Sequence, residues 1–126
     1  MTDSNGQARV VVLGASPKEE RYSNKAVRLL LDHGYTVVPV HPACDAVHGV
    51  PCVRRLAEVD GPVDTITVYV GPERSTGLLE EILAVAPRRI LLNPGAENDE
   101  LARRARDAGI EVQEACTLVL LKTGQF

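Results

Sequence analysis

A hydroxyl and four cations, Ser16, Lys18, Arg21, Lys25 and Arg28, follow the first apolar run of the chain in close succession. Directly before them stand Gly14 and Ala15, small residues that let a backbone turn approach a ligand closely. Hydroxyl, ammonium and guanidinium groups beside such a turn are the donors that phosphate oxygens need. The free N–H groups and dipole of a following helix start would add to them. Anion binding is the chemistry expected here, with Gly14 leaving the space that a phosphate fills.

Acid–base or nucleophilic chemistry has less to draw on. Among the three histidines, His33, His41 and His48, no base with an oriented partner can be recognised. His33 is expected at a helix end, His41 at a ligand-binding edge and His48 in an exposed turn. Ser16 is followed by Pro17 and lies outside any GxSxG pattern. Cys44, Cys52 and Cys116 show no CxxC spacing, which fits reduced thiols better than a disulfide framework or a zinc site. No catalytic residue and no metal ligand is assigned.

The elements that must position these groups can be read from periodicity. Residues 9–13, RVVVL, are a continuous β-branched run of the kind buried on both faces of a sheet, and SNKAVRLLLDHG then changes to a helical period. Ser23 is the expected N-cap and Gly34 the expected C′ residue. Strands are predicted over 35–40, 64–70, 88–93 and 110–114, helices over 74–86 and 98–109, and a short helix around 52–58. The apolar segment from Cys116, CTLVLLK, is expected to pack on the sheet. Alternating strands and helices imply an α/β Rossmann-like fold, a doubly wound parallel five-stranded sheet with helices on both faces. Residues 9–126 read as one domain behind a flexible segment, 1–8.

Composition narrows the partners. A net charge of −3 and four aromatics, none of them Trp, give neither the basic excess nor the stacking platforms of a nucleic-acid binder. No apolar run approaches a membrane span and the first residues have no signal-peptide core, so a cytoplasmic protein is expected. In a doubly wound sheet the ligand lies outside the carboxyl ends of the strands. Four of the five segments that follow the strands, GASPKEERYS, HPACDAVHG, GPER and PGAEN, carry Gly or Pro. NAD fits poorly, because only Gly14 of the three spaced glycines is present and Val40-His41-Pro42 offers no acid for the ribose. Gly14-Ala15-Ser16 likewise lacks the acids of a magnesium site, and no Walker motif occurs.

The stretches GASPKEERYSNKAVRLLLDHGYTVVPVHP, GVP, VDTITVYVGPE, LLNPGAEN and AGIEVQEACTLVLL resemble the small stand-alone CoA-binding proteins. That domain is also similar to the amino-terminal domain of succinyl-CoA synthetase α subunits. The resemblance implies that Gly14, Ala15 and Ser16 meet the CoA phosphates, with Arg21, Tyr22, Ser23, Asn24 and Lys25 as the adjoining loop and helix start. It implies that Val40, His41 and Pro42 line the adenosine side. Val70, Gly71, Pro72, Asn93, Pro94 and Gly95 would border the ligand from the third and fourth strands. Two positions depart from the pattern: His41 stands where the family often has Asn, and Cys44 about where the synthetases have a lysine. The resemblance brings no phosphorylated histidine with it, so ligase activity is not implied. The reading that follows is a non-catalytic protein that binds CoA or acyl-CoA. The alternative is a small enzyme acting on a CoA thioester or thiol, completed by oligomerisation. A homodimer or a protein partner stays open.

Overall fold

The computed structural model describes residues 8–126. Most of the expected amino-terminal segment therefore lies outside the described residues. The chain runs β1 (Arg9–Leu13), α1 (Tyr22–Asp32), β2 (Thr36–Val40), a hairpin of β3 (Ala46–Val47) and β4 (Val50–Pro51), a 3-10 turn (Leu56–Glu58) and β5 (Thr65–Val68). Then follow α2 (Pro72–Gly77), α3 (Leu79–Val85), β6 (Arg89–Leu92), α4 (Asp99–Asp107), β7 (Glu111–Glu114) and α5 (Thr117–Lys122). The large sheet has five parallel strands in the order β2-β1-β5-β6-β7. The chain moves from β1 to one side and returns to the other, so the switch point falls between β1 and β5.

Burial explains the β-branched runs. Along β1 the alternate residues Val10 and Val12 join a core layer with Val27 and Leu30 of α1 and Leu121 of α5. Val11 and Leu13 face the other way, toward Ile82 of α3 and Leu101 and Ala105 of α4. Each strand side chain thus has an apolar layer to enter whichever way the pleat points it. The fold is the α/β Rossmann-like sandwich that the sequence predicts.

Local differences have identifiable causes. Helix α1 begins two residues earlier than predicted: Arg21, not Ser23, is the N-cap and supplies no capping side chain, while Ser23 is buried in the first turn. The loop before it is folded against the helix by Asn24, whose Nδ2 donates to the Ser16 carbonyl at 2.9 Å. Gly34 does end the helix, with φ +86°. The single helix predicted over 74–86 starts earlier, at Pro72, and breaks at Leu78, where φ is −105°. Gly77 lowers helix propensity at that point, and Asn98 holds α2 by donating to the Pro72 carbonyl, Ser75 Oγ and Thr76 Oγ1. Residues expected in a loop form the β3–β4 hairpin, because His48 and Gly49 both take positive φ, as a type I′ turn requires. Val53, expected in a short helix, instead pairs with the end of β2: its N donates to the Pro39 carbonyl and its carbonyl accepts from His41 N. The CTLVLLK segment packs on the sheet as α5 and buries Leu120 and Leu121.

At the amino-terminal edge, Arg88 Nε donates to Asp64 Oδ1 at 2.8 Å and its Nη2 to Oδ2 at 3.2 Å. Burial works against the Asp64 charge, but the Arg88 bonds and the Thr65 hydroxyl outweigh it and hold the carboxyl below its ordinary value. A depressed folded pKa stabilises the protein above the unfolded value of about 4, and the stabilisation is lost as pH falls through the folded value. Arg88 is half exposed, which screens the pair. Asp64→Asn should therefore lose about 1 kcal/mol at pH 7 and show a shallower decline between neutral and acid pH, as read by urea denaturation.

Candidate functional site

The turn at the end of β1 rests on Gly14, which leaves the strand with φ +91°. The N–H groups of Gly14 and Ala15 both donate to the Val40 carbonyl at 3.1 Å, which ties the turn to β2. A Cβ on Gly14 would lie 2.9 Å from Val70 Cγ1 and 3.3 Å from Val70 N. The space that a Cβ on Gly14 would take is thus filled by the segment after β5, so the glycine is required for chain passage and packing.

Beyond the turn a cleft of about 530 Å³ opens at the β1–β5 switch point. It brings together nine of the predicted residues, Gly14, Ala15, Ser16, Arg21, Tyr22, Ser23, His41, Val70 and Pro94. Val40 and Pro42 line an adjoining cavity of about 200 Å³ that shares Gly14 and Val70 with the cleft. The start of α1 faces the cleft through Tyr22 and Ser23, and its first turn contains no acid and no side-chain cap. Its free N–H groups and positive dipole end are open to an anion. Lys18 and Arg21 add cationic charge, and Lys18 N closes the loop by donating to Ser16 Oγ at 3.1 Å.

The remaining predicted residues have other places. Asn24 is buried, with its Nδ2 on the Ser16 carbonyl and its Oδ1 2.7 Å from His48 Nε2. Together with Lys25 it lines a third cavity on the outer side of α1, and the Lys25 ammonium lies 5.5 Å from the centre of the Tyr22 ring. His48, though exposed as predicted, is held by that bond. Asn93 is 2% exposed and fully engaged: Nδ2 donates to Thr67 Oγ1 and the Val68 carbonyl, and Oδ1 accepts from Thr117 N at 2.8 Å. It joins β5, β6 and α5. Gly71 precedes α2, Pro72 opens it, and Gly95 N donates to Glu97 Oε1; with Asn93, these residues line none of the three cavities.

Sequence reasoning missed several wall residues. Arg74 lines both the cleft and the adjoining cavity and pairs with no acid among the described residues. It lies in the GPER segment already singled out after the third strand, so a search for cations there would have found it. Arg54 and Arg55 reach the adjoining cavity only because residues 52–53 fold back on β2, a long-range contact with no local signal. Tyr69 lines the cleft, and burial pushes its phenol up to about 12 despite the nearby Thr117 and Thr67 hydroxyls. At neutral pH it is neither an anion nor a base. His41 Nδ1 accepts from Ala43 N at 2.9 Å, which places the proton of the neutral ring on Nε2. No cysteine lines the cleft or the adjoining cavity, and the described residues contain no group of three metal-ligating side chains.

A parallel sheet with a cleft at its switch point is the arrangement in which α/β proteins of this architecture hold their ligands. Residues 8–122 match the model of the CoA binding domain family, and the chain belongs to that family. It is 32% identical over 101 residues to the uncharacterized protein YneT of Bacillus subtilis, covering 80% of this chain and 75% of YneT. It is also similar to the solved structure of cell-free ID.343 from Thermus thermophilus, with TM-score 0.87, 29% identity and coverage of 97% and 92%. Part of the dinucleotide-forming acetyl-coenzyme A synthetase 1 of Ca. Korarchaeum cryptofilum shares the fold, with TM-score 0.75 and 23% identity. That match covers 86% of this chain and 25% of the synthetase. Among the described residues, no helix is long and apolar enough to cross a membrane.

Two substitutions separate structural from ligand-facing roles. Gly14→Val should lower unfolding free energy by about 2–4 kcal/mol, from a strained positive φ and the collision with Val70. Asn93→Ala should cost about 2–3 kcal/mol by leaving the Thr117 N–H and Thr67 hydroxyl short of a partner. Both losses should be measurable by urea denaturation of the ligand-free protein.

Proposed function

We propose that this protein binds CoA or acyl-CoA in the cytoplasm without transforming it, through a single domain spanning residues 9–126. The observation that carries the reading is the uncapped start of α1 opening on a cleft walled by Lys18, Arg21 and Arg74, in a member of the CoA binding domain family. The diphosphate faces the Ser16 hydroxyl and the first-turn N–H groups of Tyr22 and Ser23, with Arg21 and Arg74 on either side. The adenosine extends past His41 into the adjoining cavity, whose apolar lining includes Leu13, Val40, Pro42, Leu56 and Val70. Arg54 and Arg55 stand at that cavity as donors for the ribose phosphate. The pantetheine leaves along Pro94. A binding role without chemistry is supported by a cleft whose phenol stays protonated and whose histidine has Nδ1 engaged.

Calorimetry with CoA and NAD tests the reading, with acetyl-CoA recovery followed in parallel. CoA should bind, NAD should bind far more weakly, and acetyl-CoA should be recovered intact. Each charge-assisted bond to phosphate contributes about 1.5–3 kcal/mol, so Arg21→Ala and Arg74→Ala should each weaken CoA about tenfold or more. Lys25→Ala and Arg103→Ala, which lie off the cleft, should change affinity less than about twofold. Equal affinity for NAD, or no CoA binding by the folded protein, would overturn the assignment; consumption of acetyl-CoA would make the protein an enzyme.

A further inference from the structure

Among the described residues, two buried side-chain polar atoms take part in no hydrogen bond, Tyr69 Oη and Glu81 Oε1. Both residues stand at the carboxyl edge of the sheet: Tyr69 lines the cleft and Glu81 the adjoining cavity. Buried polar atoms are almost always satisfied, because an unmet donor or acceptor has given up water and gained nothing in return. A carboxylate oxygen only accepts, so Glu81 needs a donor.

The fold explains why Glu81 reaches this cavity. The helical run from Pro72 breaks at Leu78, and α3 starts anew with Glu81 in its first turn. Leu78 and Glu81, three residues apart, share one side of the helix start and both line the cavity, whose apolar walls include Leu13, Val40, Leu56 and Val70. Arg54, Arg55 and Arg74 stand at the same cavity. Arg55 Nη2 is 3.9 Å from Glu81 Oε1, too far for a hydrogen bond, and the Arg55 side chain is 67% exposed. An ion pair of that kind contributes little, so Arg55 can turn away at small cost. Arginines alone would hold a phosphate better than arginines with a carboxylate among them. Glu81 therefore serves a different part of the ligand.

With the adenosine of CoA placed in this cavity, a placement on which the inference rests, we propose that Glu81 is a specificity-determining residue whose carboxylate accepts a hydrogen bond from the exocyclic amine of adenine. A cavity of about 200 Å³ with apolar walls and few polar groups suits the faces of a flat ring. Adenine presents its amine as a donor on the edge of that ring. The phosphates and the pantetheine carbonyls are acceptors, which a carboxylate repels. The pantetheine amides also donate, but they run along Pro94, outside this cavity. Arg55 turns from Glu81 to the ribose phosphate, and the amine takes its place at Oε1. Both side chains gain by the exchange, the guanidinium an anion and the carboxylate a hydrogen bond. A base with no N–H on that edge leaves Oε1 buried and unmet, and that penalty is the source of the discrimination.

Calorimetry on the whole protein and on its Glu81→Gln and Glu81→Ala variants tests this, with CoA and with etheno-CoA as ligands. In etheno-CoA a carbon bridge joins the amine to the ring and leaves no N–H on that edge. Glu81→Ala should weaken CoA about tenfold or more, as expected for a lost hydrogen bond to a charged group. Glu81→Gln, which has the same net charge as the Ala variant but keeps an acceptor, should bind CoA about threefold or more tightly than Glu81→Ala. Etheno-CoA should bind the two variants alike, within about twofold, because it has no bond to lose. Circular dichroism should show all three proteins folded. A loss on Glu81→Ala of the same size for both ligands, or CoA affinity unchanged by Glu81→Ala, would overturn the role of Glu81 while CoA binding itself stood. Failure of CoA to bind any of the three folded proteins would instead overturn the CoA reading, and the role of Glu81 with it.

Discussion

The carboxyl edge of the sheet depends on one close approach, that of Gly14 to Val70. At the switch point β1 has to end, turn its backbone out of the sheet and pass directly over the segment that leaves β5. Only a residue without Cβ can do this at φ +91° with Val70 in contact. The turn that results fixes the Val40 carbonyl on one side and delivers Ser16 and the loop beyond it to the other. The cleft, the entry of α1 and the junction with the adjoining cavity all inherit their geometry from this crossing. Val70 is 4% exposed and part of the core, so the site floor and the core are one packed surface.

Around that floor, three buried amides hold the walls. Asn24 links the Ser16 loop to the tip of the hairpin through His48, Asn93 links β5 and β6 to the start of α5, and Asn98 links α2 to α4. Each amide places a donor and an acceptor in opposite directions, so each joins segments that leave neighbouring strands. Their exposures are 4%, 2% and 6%. Protected from water, these bonds resist local opening, and the cleft walls are shaped before a ligand arrives. This pre-organisation lowers the entropy that binding would otherwise cost.

The charges are distributed differently from the polar framework. The cations that line the cleft, Lys18, Arg21 and Arg74, pair with no acid among the described residues; the ion pairs Arg88–Asp64 and Arg104–Glu80 lie away from it, while Arg54–Asp45 and Arg55–Glu81 stand at the adjoining cavity. Structural polarity is thus carried by neutral amides and hydroxyls, and unpaired positive charge remains at the end of the sheet where α1 begins. None of the three cleft cations is tied up in an ion pair with a described acid. Asn24 and Asn93, although their sequence neighbours border the cleft, are framework and not wall.

The sequence by itself determined the layer architecture, the five parallel strands and the position of the cleft, because these follow from patterns read over a few neighbouring residues. A β-branched run buried on both faces announces a central parallel strand, a Gly at a strand end announces a turn, and small residues with cations after it announce an anion site. Most of the cleft wall was legible for that reason. What only the tertiary structure decided was the direction of individual side chains and the meeting of distant segments. Whether Gly14 made room for a ligand or for Val70 depended on where residue 70 lay, and whether Asn93 faced solvent or Thr117 depended on the return of the carboxyl-terminal helix. Arg54 reached the adjoining cavity through a hairpin whose turn needed positive φ at His48. Periodicity records how much of a residue is buried, but not which partner buries it, since that is set by contacts across tens of residues of chain.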